Sequence, residues 1–492
     1  MDKLKSVIRD YIEAHEQEML EDTMMLCSID SAQSESKPGM PYGEGPYKAL
    51  MAAEELCRRY GFTTKVYADR VVTADMTDKE ACLDILAHMD VVPGGDGWTV
   101  TEAFKPVIKD GAIYGRGTSD DKGPAIAALY AMRAIKELGI KLNKNCRLIL
   151  GSDEETGSSD IEHYYSVEKE APMTFSPDAE FPIINVEKGQ FRGTVSWKNT
   201  SEGTSINEAD KPRLVYCSSG HTINIVPNKA MALMTGADEK KIAEAAELTK
   251  QKLGADFTYE TVGYELSDEA DVPLDKDMDL SEAVWLRVFG ESAHASTPEK
   301  GVNALVIMLQ ILAELDFADN NFDKAVKELA KLFPYGDHEG TGVGAAAEDE
   351  IAGKTSLTAD ILEATEKGFK LIFDSRTCLK HEQDKIQDKV EETVSKAGFE
   401  FSCKFVPAHA VDGNSVFIKT LLDCYENVTG KEGKCLAIGG GTYVHELKNG
   451  VAFGAVGETT DTHMHGLDEF MLIDEFKDAV LIYALAIAKL CA

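Results

Sequence analysis

DDKGPAIAALYAMRAIKELGIKLNKNCRLILGSDEETG, residues 120–157, sets the architecture. It opens on two acids and a glycine and continues as a helix pattern with Ile126, Leu129, Tyr130 and Ala134 on one face. Gly139 is a natural stop. The apolar run CRLIL then reads as a buried strand, and Asp153, Glu154 and Glu155 stand together where it ends. Upstream, ACLDILAHMD (81–90) is a second short apolar run. Strands separated by helices predict a mostly parallel sheet covered on both faces. Adjacent carboxylates at the mouth of a core repel one another and are costly unless something positive sits among them.

The same style returns at the far end. GNSVFIKTLLDCYENVTG (413–430) predicts a helix, KCLAIGGGTYV (434–444) a strand and glycine loop, VAFGAVGE (451–458) a strand, and DEFKDAVLIYALAIAKLCA (474–492) a helix. The middle differs: strand-like FRGTVSW (191–197), AVWLRVFG (283–290) and FKLIFDS (369–375) mix with a helix pattern in NALVIMLQILAELD (303–316). The expected fold class is therefore α/β, an open sheet domain interrupted by an α+β insertion. The expected division is 1–188 and 383–492 for the sheet domain and 189–382 for the insertion. The polar stretch 265–283 reads as a surface loop.

The chain has 492 residues, enough for two or three domains. Its 51 Lys and Arg against 85 acids give a formal charge of −34, which repels phosphate backbones and anionic lipid, so neither nucleic acid nor membrane is an expected partner. MDKLKSVIRDYIEAHEQEMLED (1–22) is an amphipathic helix pattern without a secretory h-region, and no stretch has the length of a membrane span. The ten cysteines are scattered and form no CxxC pair, which suits reduced thiols in a cytoplasmic protein and argues against thiolate-held zinc.

Five segments carry metal-type side chains, the first four of them directly after an apolar run and the fifth near the carboxyl end. They are AHMDVVPGG (His88, Asp90), GRGTSDDKGP (Asp120, Asp121), GSDEETG (Glu154, Glu155), SPDAEFP (Asp178) and THMHGLDEF (His463, His465). Ligands of open α/β sheets bind beyond the carboxyl ends of the strands, where segments distant in sequence converge. Imidazoles with several carboxylates and no thiolate suit hydrolytic zinc, or manganese or cobalt in its place. Taken singly, each segment has an ordinary reading as a surface pair, a helix start or a turn.

Together, HMDVVPGG, GRGTSDDKGP, DEETG, SPDAEFPIINVEKG, FGESAHASTPEKGVNA, IGGGTYV and HGLDEF resemble the di-zinc peptidase family of aminoacylases, carnosinases, acetylornithine deacetylase and succinyl-diaminopimelate desuccinylase. The PepV-type dipeptidase branch is the most similar. The resemblance implies that Asp120 bridges two zinc ions, with Glu155 and His465 completing one site and His88 and Asp178 the other. Asp90 would bond the far nitrogen of His88, and Glu154 would act as general base towards a metal-activated water. Asp121, Asp153 and His463 are the neighbours that compete for these roles.

In the insertion, the resemblance implies a lid in which His294 donates to the developing oxyanion. Arg376 would grip a terminal carboxylate. Asn224, Gly440 and Gly441 would contact the substrate. Two departures from the family pattern are Thr377 and Cys378 after Arg376, where an aromatic-Pro pair is usual, and His221 in SSGHTINIVP. The expected activity is hydrolysis of small dipeptides with a free terminal carboxylate. The alternatives are deacylation of N-acyl amino acids and metal-dependent binding without catalysis. The large insertion of the PepV branch implies that lid residues act in cis, which favours a monomer, with a homodimer as the other possibility.

Overall fold

The computed structural model describes residues 2–200, 211–264, 278, 280–318, 320–381 and 383–492, and the chain divides into two compact units. Residues 265–277 and 279 of the expected polar loop lie outside the described residues. Unit 1 is Met1–Glu187 with His409–Ala492, and unit 2 is Lys188–Ala408.

Unit 1 is built on a nine-stranded sheet, and its main path runs Thr63–Tyr67, Val71–Asp75, Asn145–Gly151, Ala81–His88, Met173–Ser176, Gly450–Ala452, Ile183–Glu187, His409–Ala410. The centre is parallel: Ala81–His88 pairs in that sense with Asn145–Gly151 and Met173–Ser176, and Met173–Ser176 with Gly450–Ala452. Both edges are antiparallel. Alternation along Ala81–His88 sends Leu83, Ile85 and Ala87 into the main core and Leu86 to the opposite face. The main core is shared with the helices Asp2–Cys27, Lys122–Glu137, Val416–Thr429 and Ile473–Leu490, while Tyr164, Tyr443 and Leu447 cover the other face. The apolar stripe of 120–139 thus became a central helix whose Ile126, Leu129, Tyr130 and Ala134 are all buried. Among the described residues no helix is long and apolar enough to cross a membrane, and all ten cysteines are free thiols.

Unit 2 is an eight-stranded antiparallel sheet in the order Thr258–Gly263, Val284–Phe289, Lys229–Thr235, Arg213–Ser219, Ser356–Thr365, Gly368–Thr377, Gly189–Lys198, Glu400–Val406. Helices Glu239–Leu253, Ala304–Glu314, Asn321–Leu332 and Gln383–Lys396 contribute to a separate core with it. The second expected boundary, at 382/383, is corrected to 408/409. The reason is strand pairing. Glu400–Val406 bonds along the edge of Gly189–Lys198, and the preceding helix buries Ile386, Val390 and Val394 in the unit 2 core.

Candidate metal centre

Because the central strands are parallel, their carboxyl ends lie along one edge, and the expected acids follow those ends. His88 closes Ala81–His88, Glu154 and Glu155 form a single turn after Asn145–Gly151, and Asp178 follows Met173–Ser176 by two residues. Asp120 precedes the helix Lys122–Glu137. Within unit 1, Nε2 of His88 lies 3.1 Å from Asp120 Oδ1 and 3.5 Å from Asp178 Oδ2. Nε2 of His465 lies 2.9 Å from Asp120 Oδ2 and 3.3 Å from Glu155 Oε2. Asp120 therefore turns one carboxylate oxygen to each imidazole. Among the described residues, candidate ligand atoms of His88, Asp120 and Glu155 lie within 4.8 Å of one another, as do those of His88, Glu154 and Asp178. Geometry alone thus gives Glu154 two possible roles, ligand or base.

The electrostatics follow from burying acids among imidazoles. Burial alone would lower the pKa of His88, but bonds to Asp120, Asp178 and Asp90 outweigh it and hold the imidazole well above its ordinary value. His465 is pushed up to about 10 by Asp120 and Glu155. Burial raises Asp120, yet hydrogen bonds from His465 and His88 prevail and leave it below the usual carboxylate range. Glu154 goes the other way: burial drives its carboxyl well up, and the charges of Asp178, Asp120 and Glu155 add to that against His88. The cluster calls for positive charge, and bound cations would displace the imidazole protons. Oε1 of Glu155 is buried without a hydrogen-bond partner, and Nε2 of His88 faces carboxylate oxygens of both Asp120 and Asp178. An orphaned acceptor of ligand type is what a metal pair would satisfy.

Asp90 does more than face His88. Nδ1 of His88 lies 3.1 Å from the main-chain oxygen of Asp90 and 3.4 Å from its Oδ1. The carboxylate also meets two main-chain donors, accepting from the N–H of Glu154 at 3.3 Å and of Glu155 at 3.1 Å. One residue thereby fixes both the imidazole and the DEE turn. The competing neighbours are otherwise engaged. Asp153 accepts from Ser159 Oγ at 2.6 Å and Ser159 N–H at 3.1 Å, Asp121 accepts from His88 N–H at 3.0 Å, and the His463 ring lies edge-on to Phe470.

Sequence reasoning missed the supports around these ligands. Glu469 is fully buried, pairs with Arg116 Nη1 at 2.6 Å, and accepts from the N–H groups of Gly117 and Ser119 at 3.0 Å. Arg116 Nη2 donates to the carbonyls of His465 and Gly466. This pair ties the Asp120 loop to the His465 loop. Asp160 accepts from Tyr443 Oη and Ser152 N–H, both at 2.5 Å, bracing the DEE turn from behind. Arg116 and Glu469 both sit inside quoted motifs, so the signal was a buried-type charge pair of opposite sign. Nothing local marked Asp160.

Unit 2 holds His294, Asn224 and Arg376. Asn224 takes a positive φ of 69°, its N–H donates to Asp360 Oδ2 at 2.8 Å, and its carbonyl accepts from Ala295 N–H. An isolated bridge joins Ile225 to His294. Nδ1 of His294 accepts from the Ser296 N–H at 3.1 Å. A main-chain N–H can only donate, so the proton of the neutral ring sits on Nε2. Burial and the Arg376 cation lower the pKa of His294, which keeps that neutral form. Arg376 is buried, with Nε donating to Asp374 Oδ2 at 2.9 Å, and Arg192 holds the other oxygen at 3.0 Å. His221 is exposed in the loop after Arg213–Ser219. Gly440 and Gly441 lie between the strand Cys435–Ile438 and Tyr443, in unit 1.

A two-domain α/β hydrolase with a carboxylate–imidazole metal centre is the class these features define. Residues 85–489 match the model of peptidase family M20/M25/M40. The chain is 33% identical over 481 residues to "Putative dipeptidase YtjP" of Bacillus subtilis, covering 96% of this chain and 97% of that one. It is 32% identical over 497 residues to "Beta-Ala-Xaa dipeptidase" of Lactobacillus delbrueckii subsp. lactis, covering 98% of each. Among solved structures, human carnosine dipeptidase 1 shares the fold at a TM-score of 0.57 and 15% identity, with 99% of each chain covered. The chain belongs to peptidase family M20/M25/M40 and is a metal-dependent hydrolase.

Proposed function

We propose that this chain is a dinuclear zinc dipeptidase, cutting small dipeptides that end in a free carboxylate, with manganese or cobalt able to replace zinc. The observation that carries the reading is Asp120, a buried carboxylate offering Oδ1 to the His88 side and Oδ2 to the His465 side. Asp120 is the shared ligand, His88 and Asp178 complete one ion's set, and Glu155 and His465 complete the other. The partnerless Oε1 of Glu155, and Nε2 of His88 set between Asp120 and Asp178, support this donor set. When bound, the ions polarise the scissile carbonyl and acidify water to a pKa of about 7.

Glu154 takes the proton of the attacking water and returns it to the leaving amine. Its raised proton affinity suits a group that holds a proton between those two steps. Asp90 keeps His88 oriented and presents Glu154 and Glu155 from one turn. The Nε2–H of His294 donates to the carbonyl oxygen as charge develops there. Arg376, braced by Asp374, receives the terminal carboxylate, and Asn224, Gly440 and Gly441 contact the substrate. These residues act within one chain, the working form is a monomer, and the enzyme resides in the cytoplasm.

The printed names of the bacterial relatives support dipeptides over N-acyl amino acids as substrates. The test is a panel of dipeptides, a tripeptide and N-acetyl amino acids, assayed after chelation with zinc, manganese or cobalt restored. Dipeptides should be cleaved fastest, and preferential cleavage of N-acetyl amino acids would overturn the reading in favour of a deacylase. Mixing His294→Ala with Glu154→Gln chains should recover no activity. Recovery would mean that sites are shared between subunits.

A further inference from the structure

Glu187 ends the strand Ile183–Glu187 and is the last residue of unit 1 before the chain enters unit 2. Its carboxylate is buried, with 1% of the residue exposed. The strand Cys435–Ile438 runs parallel to it and sets Ile438 opposite Glu187, so the glycines 439–441 leave the sheet at its flank. The chain then comes back to the same side chain. Oε1 of Glu187 accepts from Thr442 Oγ1 at 2.6 Å, and Oε2 accepts from Thr442 N–H at 3.2 Å and from His445 Nδ1 at 2.7 Å.

On the other side of Glu187 stands His409, its antiparallel partner and the first residue of unit 1 after the chain leaves unit 2. The His409 ring lies 6.1 Å from that of His445, and its Nε2 is 2.7 Å from the Gly450 carbonyl. Three consecutive glycines have no side chains with which to fix their own path and the widest backbone freedom of any residue. They are held upstream by Ile438 in the sheet and downstream by Thr442 and His445 on the carboxylate. Burying a carboxylate is costly, and the donors gathered here offset that cost at one place only. Tyr443, next in the chain, bonds Asp160 behind the DEE turn, so the loop is also continuous with the metal centre's supports.

We propose that Glu187 is a positioning residue for substrate binding: by holding Thr442 and His445 it fixes the backbone of Gly440 and Gly441 where the substrate meets it. The proposal rests on the reading that this glycine loop touches the substrate, and the experiment separates the two. It compares Glu187→Ala, Glu187→Gln and Gly440→Ala, the last a change with open space around the added methyl. Dipeptide KM and kcat, zinc content and hydrogen exchange of the segment 438–447 are measured on the full-length, zinc-loaded enzyme.

Glu187→Ala should raise KM by about tenfold or more, as loss of bonds to a charged group does. It should change kcat much less, keep its zinc, and speed exchange in 438–447 while leaving the strand Asn145–Gly151 protected. Glu187→Gln keeps an acceptor for Thr442 but cannot serve all three donors, so its effect should be intermediate. Unchanged exchange in 438–447, or a loss confined to kcat, overturns the proposal. If Gly440→Ala raises KM while Glu187→Ala does not, the proposal fails and the loop's contact with substrate stands. If neither raises KM although exchange in 438–447 quickens, the contact itself is wrong, and substrate positioning by Glu187 falls with it.

Discussion

In unit 1, the acids Asp120, Asp178 and Glu155 have only the imidazoles of His88 and His465 for ion-pair partners, and Glu155 Oε1 is buried without a hydrogen-bond partner, whereas in unit 2 the buried Asp374 carboxylate is spanned by Arg192 at 3.0 Å and Arg376 at 2.9 Å. The first arrangement gathers acids and imidazoles whose charges are mutually satisfied only when protons or cations sit among them. The second brings its own cations and keeps His294 neutral with a defined donor nitrogen. On the proposed reading, one region holds ions and the other presents donors to a substrate. The difference is in the partners each acid has: Asp120, Asp178 and Glu155 pair with imidazoles, and Asp374 pairs with two guanidinium groups.

The largest effect should come from removing the shared carboxylate. Asp120→Asn deletes the anion that faces both imidazoles, so hydrolysis should fall to background and elemental analysis should show metal lost with it. Full metal content in an inactive Asp120→Asn protein would break the comparison. Next, Glu154→Gln keeps volume and removes the proton acceptor, so kcat should drop by about 10²–10⁴-fold while metal content stays. Loss of the metal instead would make Glu154 a ligand, the other role its position beside His88 and Asp178 allows.

On the unit 2 side, His294→Ala should lower kcat by roughly 10²–10³-fold with little change in KM, and Arg376→Ala should act mainly on KM. The reverse split would refute the assignment of donor and anchor. Smaller again, Glu469→Gln loosens the tie between the Asp120 and His465 loops, and metal affinity measured by competition with a chelator should weaken by about 10–100-fold.

The smallest effect concerns Asp360, which departs from the pattern of unit 2 because its Oδ1 is buried without a partner. Burial pushes its carboxyl up to about 8 in the folded chain, against about 3.9 for an ordinary aspartate. Its contribution to stability is full below the lower value and is lost as pH rises through the higher one. Asp360→Asn keeps the acceptor for Asn224 N–H and removes the ionisation. The Tm of the variant relative to the native chain should therefore climb by roughly 2–4 °C or more between pH 5 and pH 8. A difference that does not change with pH would contradict the raised proton affinity of this buried carboxyl.

The sequence disclosed those parts whose signal is local. The stripe Ile126, Leu129, Tyr130, Ala134 and the apolar runs before His88 and Glu154 foretold the helix and the central strands. Parallel pairing then dictated that the acids following those strands share one edge. The boundary at 408/409 was hidden because Glu400–Val406 is assigned by its pairing with Gly189–Lys198, some two hundred positions away in the chain, and not by its own composition. Asp90 showed the same limit. Its proximity to His88 was readable, but its bonds to the main chain of Glu154 and Glu155 depend on how two strand ends meet. Asp160 and Glu187 look like any other acids until the fold buries them.

The central claim is that the unit 1 cluster holds a pair of ions shared by Asp120, and counting ions tests it most directly. Elemental analysis of purified, active protein after removal of loosely bound metal should give two divalent ions per chain, with activity lost on chelation and restored by zinc. One ion per chain, or none, in fully active protein would contradict the account.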